Sequence, residues 1–197
     1  MIIIASKRNS QNSIQLKYPN CIITDVTSGA KDSLVKLSPF YPHGGIPVPF
    51  SEGFTATCVE AIWQGLKVFE GCDVDTSLFK NDSMKGLKRT VRKYGKPLGH
   101  RKGVYGDELL SYVEARKQIY IPTYKWVLEN KVAGIIAKLK EASKTKTIVL
   151  LDYDTNADVE NERRPLSHAS LIKAYIEGTY PYSKTPSSPT ITEPTLF

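Results

Sequence analysis

Glu60, Gln64 and Lys67 stand at i, i+4 and i+7 behind an aromatic, proline-rich loop, placing an acid, an amide and an amine on one edge. Thr57 followed by Glu60 is a capping-box pattern, which predicts a helix starting there and running to Phe69. Val59, Ile62, Trp63, Leu66 and Phe69 recur at helical spacing, so one face enters the core and the polar trio runs beside it. Pattern alone also allows Glu60 merely to cap and Lys67 merely to be solvated. The loop decides for a site. Ser38, Phe40, Tyr41 and His43 are interleaved with Pro39, Pro42, Pro47 and Pro49, which stiffen a backbone rich in stacking and hydrogen-bonding groups.

A second group of acids follows the clearest strand, a β-branched run over 147–151. Asp152, Tyr153, Asp154, Asn156 and Asp158 come next. Carboxylates and amides at the carboxyl end of a buried strand are where α/β proteins place ligand chemistry, although such residues also favour plain turns. His168, in the first turn of a last helix over 168–177 capped by Ser167, is expected on the surface. Asp73 and Asp75 are read as a solvated loop, because two acids lack the ligand count of a calcium site.

Charge supplies a third signal. Between residues 83 and 106 stand Lys85, Lys88, Arg89, Arg92, Lys93, Lys96, Arg101 and Lys102 with no acid, against a net charge of +7 for the whole chain. With Met84, Leu87 and Val91 inward, Ser83 is expected to cap a helix whose other face is a basic ridge. A ridge with no opposite charge to relieve it points to phosphates, hence a nucleic-acid partner. Glycines at 95, 99 and 103 continue it as a loop able to approach phosphates closely.

The run Ser38-Pro39-Phe40-Tyr41-Pro42, then Gly53, then Val59-Glu60-Ala61 with Gln64, Lys67 and Phe69, resembles the N-terminal motif of the NADAR (YbiA-like) superfamily of N-glycosidases. Ala61 and Trp63 replace a His and a Tyr of that motif, and the Trp-Gly signature after the late strand is missing. More narrowly, the chain is similar to a bacterial group linked to anti-phage DNA glycosylases that excise glucosylated hydroxymethylcytosine. The resemblance implies hydrolysis of an N-glycosidic bond without a cofactor. Catalysis then falls to Glu60, Asp152, Lys67 and Asn156. Ser38, Phe40, Tyr41, Trp63, Gln64, Tyr120 and Tyr153 are expected to bind substrate. Lys85, Lys88, Arg89, Arg92, Lys93, Arg101 and Lys102 are expected to bind DNA. Two alternatives stand: a small N-glycoside as substrate, such as an ADP-ribosylated base or a riboflavin-pathway intermediate, and a non-enzymatic nucleic-acid-binding module.

The positioning elements are read as strands over 2–5 and 21–26 around a helix over 10–18, giving an α/β or α+β domain. Asp107 is expected to cap a helix to about residue 119, with Tyr112, Arg116 and Tyr120 on one side as an aromatic seam or a pocket wall. Pro122 is expected to open a second helix through residue 142. One domain spans 1–178, and a Pro-, Ser- and Thr-rich tail runs over 179–197. Three scattered cysteines without a CxxC pair argue against disulfides and zinc, and no apolar run spans a bilayer, so a cytoplasmic enzyme with no metal is expected.

Overall fold

A computed structural model describes residues 1–181 of the chain. The opening is as expected: β1 (Ile2–Ser6), α1 (Gln11–Lys17) and β2 (Ile22–Asp25). Ser10 caps α1 by accepting the Ser13 N–H. A 3-10 turn, Ser33–Leu37, then leads into the Ser38–Pro42 loop and a small hairpin, β3 (Ile46–Pro47) with β4 (Thr55–Ala56). Next come α2 (Val59–Gly65), β5 (Lys67–Phe69), a 3-10 turn Thr76–Lys80, α3 (Val91–Tyr94), β6 (Pro97–Arg101) and β7 (Leu109–Leu110). A continuous helical stretch follows: α4 (Tyr112–Ala115), a π-helical turn Arg116–Tyr120, and α5 (Ile121–Asn130). The described chain closes with α6 (Ala133–Thr145), β8 (Ile148–Asp152) and α7 (His168–Ile176).

The fold is mixed α/β. β8 lies between β1 and β2 and is parallel to both, with Leu150 facing Ile4 on one side and Thr24 on the other. Every residue of β8 is buried, as a central parallel strand requires. Parallel pairing brings the carboxyl ends of all three strands, at Ser6, Asp25 and Asp152, to one edge. A separate antiparallel sheet, β5-β6-β7, sets Lys67 opposite His100. One apolar core joins Ile2 of β1, α2, α5, α7 and Tyr180.

Several expectations need correction. The helix at Thr57 is capped instead by Cys58, whose thiol accepts the Ala61 N–H, while the Thr57 hydroxyl donates to the Asn81 carbonyl. It stops at Gly65, where the Phe79 ring leaves no room for a side chain, and Lys67 and Phe69 belong to a strand that pairs with β6. The basic helix after Ser83 shrinks to the four residues of α3, because Met84 (φ 58) and Gly86 (φ 69) turn the backbone left-handed. Leu87 enters the core as expected, but Val91 is 60% exposed.

Ser111, not Asp107, caps α4, in a full capping box with Glu114. Pro122 sits in the first turn of α5, directly after the π-helical turn, and the expected long helix divides at Lys131 into α5 and α6. Packing extends past residue 178, since the buried Tyr180 donates to the Ile121 carbonyl at 3.0 Å. The rest of the expected tail, 182–197, lies outside the described residues. No helix among the described residues is long and apolar enough to cross a membrane.

Candidate functional site

At the carboxyl edge of the parallel sheet opens a cleft of about 490 Å³. Its walls come from the ends of β1 and β2, the Ser38–Phe40 loop, α2, Lys67 of β5, Lys88 before α3, the stretch from Tyr112 to Tyr120, and the segment from Asp152 to His168. Of the expected site residues, Ser38, Phe40, Glu60, Trp63, Gln64, Lys67, Tyr120, Asp152 and Tyr153 all line it.

The Ser38–Pro42 loop is tied to α2. Pro39 offers its carbonyl to the Glu60 N–H at 2.9 Å, and the Ser38 hydroxyl accepts the Phe40 N–H at 3.2 Å. The Thr57 N–H, which a capping box would pair with the Glu60 carboxylate, donates instead to the Phe79 carbonyl at 2.9 Å, so the Glu60 side chain is released from capping. Its carboxylate is buried and accepts the Gln64 Nε2–H at 2.9 Å. Gln64 is itself held, because its Oε1 accepts the Arg89 N–H at 3.0 Å. The amide orientation is thereby fixed, and so is the carboxylate it grips.

Burial pushes Glu60 above the usual carboxylate range, against the Gln64 hydrogen bond and the ammonium groups of Lys88 and Lys67. Burial likewise pushes Lys67 below the usual lysine range, with Glu60 opposing and Arg89 adding to the fall. An acid drawn upward and an amine drawn downward in one cleft are a pair suited to moving protons.

Aromatic rings surround these groups. Trp63 meets Tyr112 at 5.7 Å and Tyr120 at 5.6 Å, both edge to face, and Tyr112, Arg116 and Tyr120 all line the cleft. The side that could have been a mere seam is a wall. Arg116 is 1% exposed, lies 4.3 Å over the Tyr112 ring, and donates to the carbonyls of Val159, Asn161 and Arg164. It therefore clamps the loop that follows β8.

On the opposite wall the Asp152 carboxylate is nearly saturated. Oδ1 accepts the Tyr153 N–H at 2.7 Å; Oδ2 accepts the Ser167 hydroxyl at 2.7 Å and the Ala169 N–H at 3.2 Å, and lies 3.0 Å from His168 Nδ1. Burial works against its charge, but His168, Ser167 and the Ala169 amide outweigh it and hold the carboxyl below the usual range. His168 is buried, not on the surface, and its Nε2 donates to the Val26 carbonyl at 2.8 Å. This contact ties α7 to the residue that follows β2.

Two expected residues are not brought to the cleft. Tyr41 leans on His43 at 4.8 Å, away from the site. Asn156 spends its side chain on the loop, donating to the carbonyls of Asp158 and Arg164 and accepting the Asp158 N–H. It organises the segment and lies outside the candidate catalytic group.

The basic stretch is also corrected. Arg89 is 4% exposed and donates to the carbonyls of Gln64, Lys67 and Asp73, so it holds α2 and β5 and is closed to phosphates. Arg101 pairs with Asp73 at 2.8 Å and Lys102 with Glu108 at 2.7 Å. Lys85, Lys88, Arg92, Lys93 and Lys96 remain exposed and without an ion pair among the described residues, and Lys88 reaches the cleft, 5.7 Å over the Phe40 ring.

Sequence reasoning missed Arg8, Thr27 and Ser28, which line the cleft from the ends of β1 and β2. Their position just past two parallel strands was the available signal. No group of three or more His, Cys, Asp or Glu side chains that could hold a metal ion is found among the described residues.

Over residues 6–172 the chain matches a family described as a family of unknown function (DUF6939). No curated protein matches it.

Proposed function

The chain belongs to the DUF6939 family, a family of unknown function, and we propose that it is an N-glycosidase, with a modified base in DNA as substrate and an abasic site as product. One observation carries the reading: a buried carboxylate, Glu60, fixed by Gln64 between aromatic walls, with Lys67 and Lys88 lining the same cleft. Hydrolysis at an N-glycosidic carbon passes through a cationic sugar, which a desolvated carboxylate stabilises better than one in water. In the proposed step a water oxygen bonds to C1′ while the C1′–N bond breaks and its electron pair goes to the base. One water proton passes to Glu60, and the departing base takes a proton from Lys67. Phe40, Trp63 and Tyr120 offer the stacking surface that offsets extrusion of a nucleotide from a duplex.

The five exposed cations between Lys85 and Lys96, leading to the cleft through Lys88, support DNA over a free nucleotide. The test is incubation with duplexes carrying cytosine, hydroxymethylcytosine or its glucosylated form, followed by alkali to cut at abasic sites. Strand cleavage restricted to one modified duplex is expected, falling about 10²- to 10⁴-fold in Glu60→Gln. Tight binding without cleavage would make the protein a binding module. Base release from free nucleotides alone would make it a small-substrate N-glycosidase.

A further inference from the structure

Two lysines, Lys67 and Lys88, line the main cleft, and their settings differ. Lys88 is exposed on the segment before α3. Lys67 is half-buried on a strand, and its backbone is held twice, by pairing with His100 of β6 and by an Arg89 guanidinium N–H on its carbonyl. Its Nζ lies 5.2 Å from the Phe69 ring and makes no hydrogen bond or ion pair among the described residues. A lysine kept for the fold ends on an acceptor, as Lys7 does on Asp25. Lys67 instead carries a free amine, on a fixed backbone, into a cleft.

Burial draws that amine below the usual lysine range against the pull of Glu60, and the Arg89 guanidinium adds to the fall. Desolvation and a neighbouring cation are the two means by which a lysine becomes a nucleophile toward carbonyls, since only the neutral amine has a lone pair to give. In the base-release step the departing base takes its proton from Lys67, which leaves the amine neutral and Glu60 protonated. The sugar left behind carries C1′ as a hemiacetal in exchange with an open aldehyde. Nucleophile and electrophile then share one cleft.

We propose that Lys67 attacks this aldehyde and that the protein has a second activity, cleavage of the DNA strand at the abasic sugar through an imine. The source of the sugar rests on the N-glycosidase reading. Lys67 Nζ bonds to C1′, and one nitrogen proton passes to the former carbonyl oxygen. That hydroxyl leaves as water with the proton held by Glu60, giving a protonated imine. The Glu60 carboxylate then takes a proton from C2′. The C2′–H electron pair becomes the C2′–C3′ double bond, and the C3′–O bond breaks with its pair going to the phosphate. Water hydrolyses the imine, returning Lys67 as an ammonium and releasing an unsaturated aldehyde, and Glu60 loses its proton to solvent.

The test bypasses base release. The full chain would be incubated with a duplex whose abasic site has been made beforehand by excising uracil, in sodium cyanoborohydride, which reduces an imine to a stable amine. A covalent protein–DNA adduct is expected, and mass spectrometry of its digest should place it on the peptide carrying Lys67. Without the reductant, the same duplex should be nicked with no alkali treatment, leaving a 5′-phosphate on one side. Lys67→Arg keeps a cation at the position but forms no imine, and should lose both adduct and nick. No adduct, an adduct spread over exposed lysines, or a strand left intact without alkali would overturn the proposal, and none of these touches base release. An adduct and nick at Lys67 in a protein that frees no base from any modified duplex would uphold the proposal and sink the glycosidase reading.

Discussion

Glu60 and Asp152, on facing walls of the cleft, are held in opposite electrostatic states, and their pH behaviour should differ in sign. Glu60 has a folded pKa above its ordinary value of 4.5, so its ionisation opposes folding. Stability tied to it is present below the unfolded value and lost as pH rises through the folded one. Glu60→Gln should therefore melt at a higher temperature than the parent at pH 7, with the gain vanishing near pH 4, while activity collapses. A stabilised, inactive variant is the signature of a group kept for chemistry at the expense of the fold. Asp152 is the reverse case. Its folded pKa lies below 3.8, so the stability it supplies is present above that value and lost as pH falls through the folded pKa. Asp152→Asn removes the charge beside His168 and should cost about 3 kcal/mol at pH 7, read by denaturant titration. A stability unchanged within error would mean that the pair with His168 contributes nothing to the fold.

At the scale of elements, the segment between the 3-10 turn Thr76–Lys80 and β6 divides into a brace and a display. Arg89 and Leu87 face inward, while Lys85, Lys88, Arg92 and Lys93 face solvent. Replacing those four exposed cations with Gln should leave the melting temperature nearly unchanged and flatten the salt dependence of DNA binding, by about 0.9 log–log units per lost phosphate contact. Arg89→Gln should do the opposite. It strands the carbonyls of Gln64, Lys67 and Asp73, destabilising the protein by about 3 kcal/mol, whereas any remaining binding keeps its salt slope. If the Arg89 variant alone flattened the slope, the side chain would have to leave its buried site to meet DNA. The periodicity of residues 84–92 made all these cations equivalent on paper. Positive φ at Met84 and Gly86 ended that equivalence, since a left-handed pair breaks the helix that would have aligned them.

For the whole molecule, the decisive contact is the insertion of β8 between β1 and β2, which joins residue 2 to residue 148. The site exists only after this closure, because Arg8, Thr27, Asp152 and His168 meet across it. Deleting residues 1–7 should therefore abolish the cooperative melting transition, checked by circular dichroism, and leave no partly active remnant. The sequence by itself determined the elements whose signals are local: the β1-α1-β2 opening, the β-branched run of β8 and the Ser167 cap of α7. It also singled out Glu60 and Asp152, through an acid on a helix edge and an acid ending a buried strand. Only the tertiary structure decided that Glu60 is buried instead of capping, that Arg89 and Asn156 are struts, and that His168 is interior. Each of those outcomes depends on a partner 2 to 142 positions away, such as Val26 for His168, and on which side of a strand or turn the chain arrives. Side-chain spacing records the period of a helix or strand, whereas burial of a polar group is set by what packs over it.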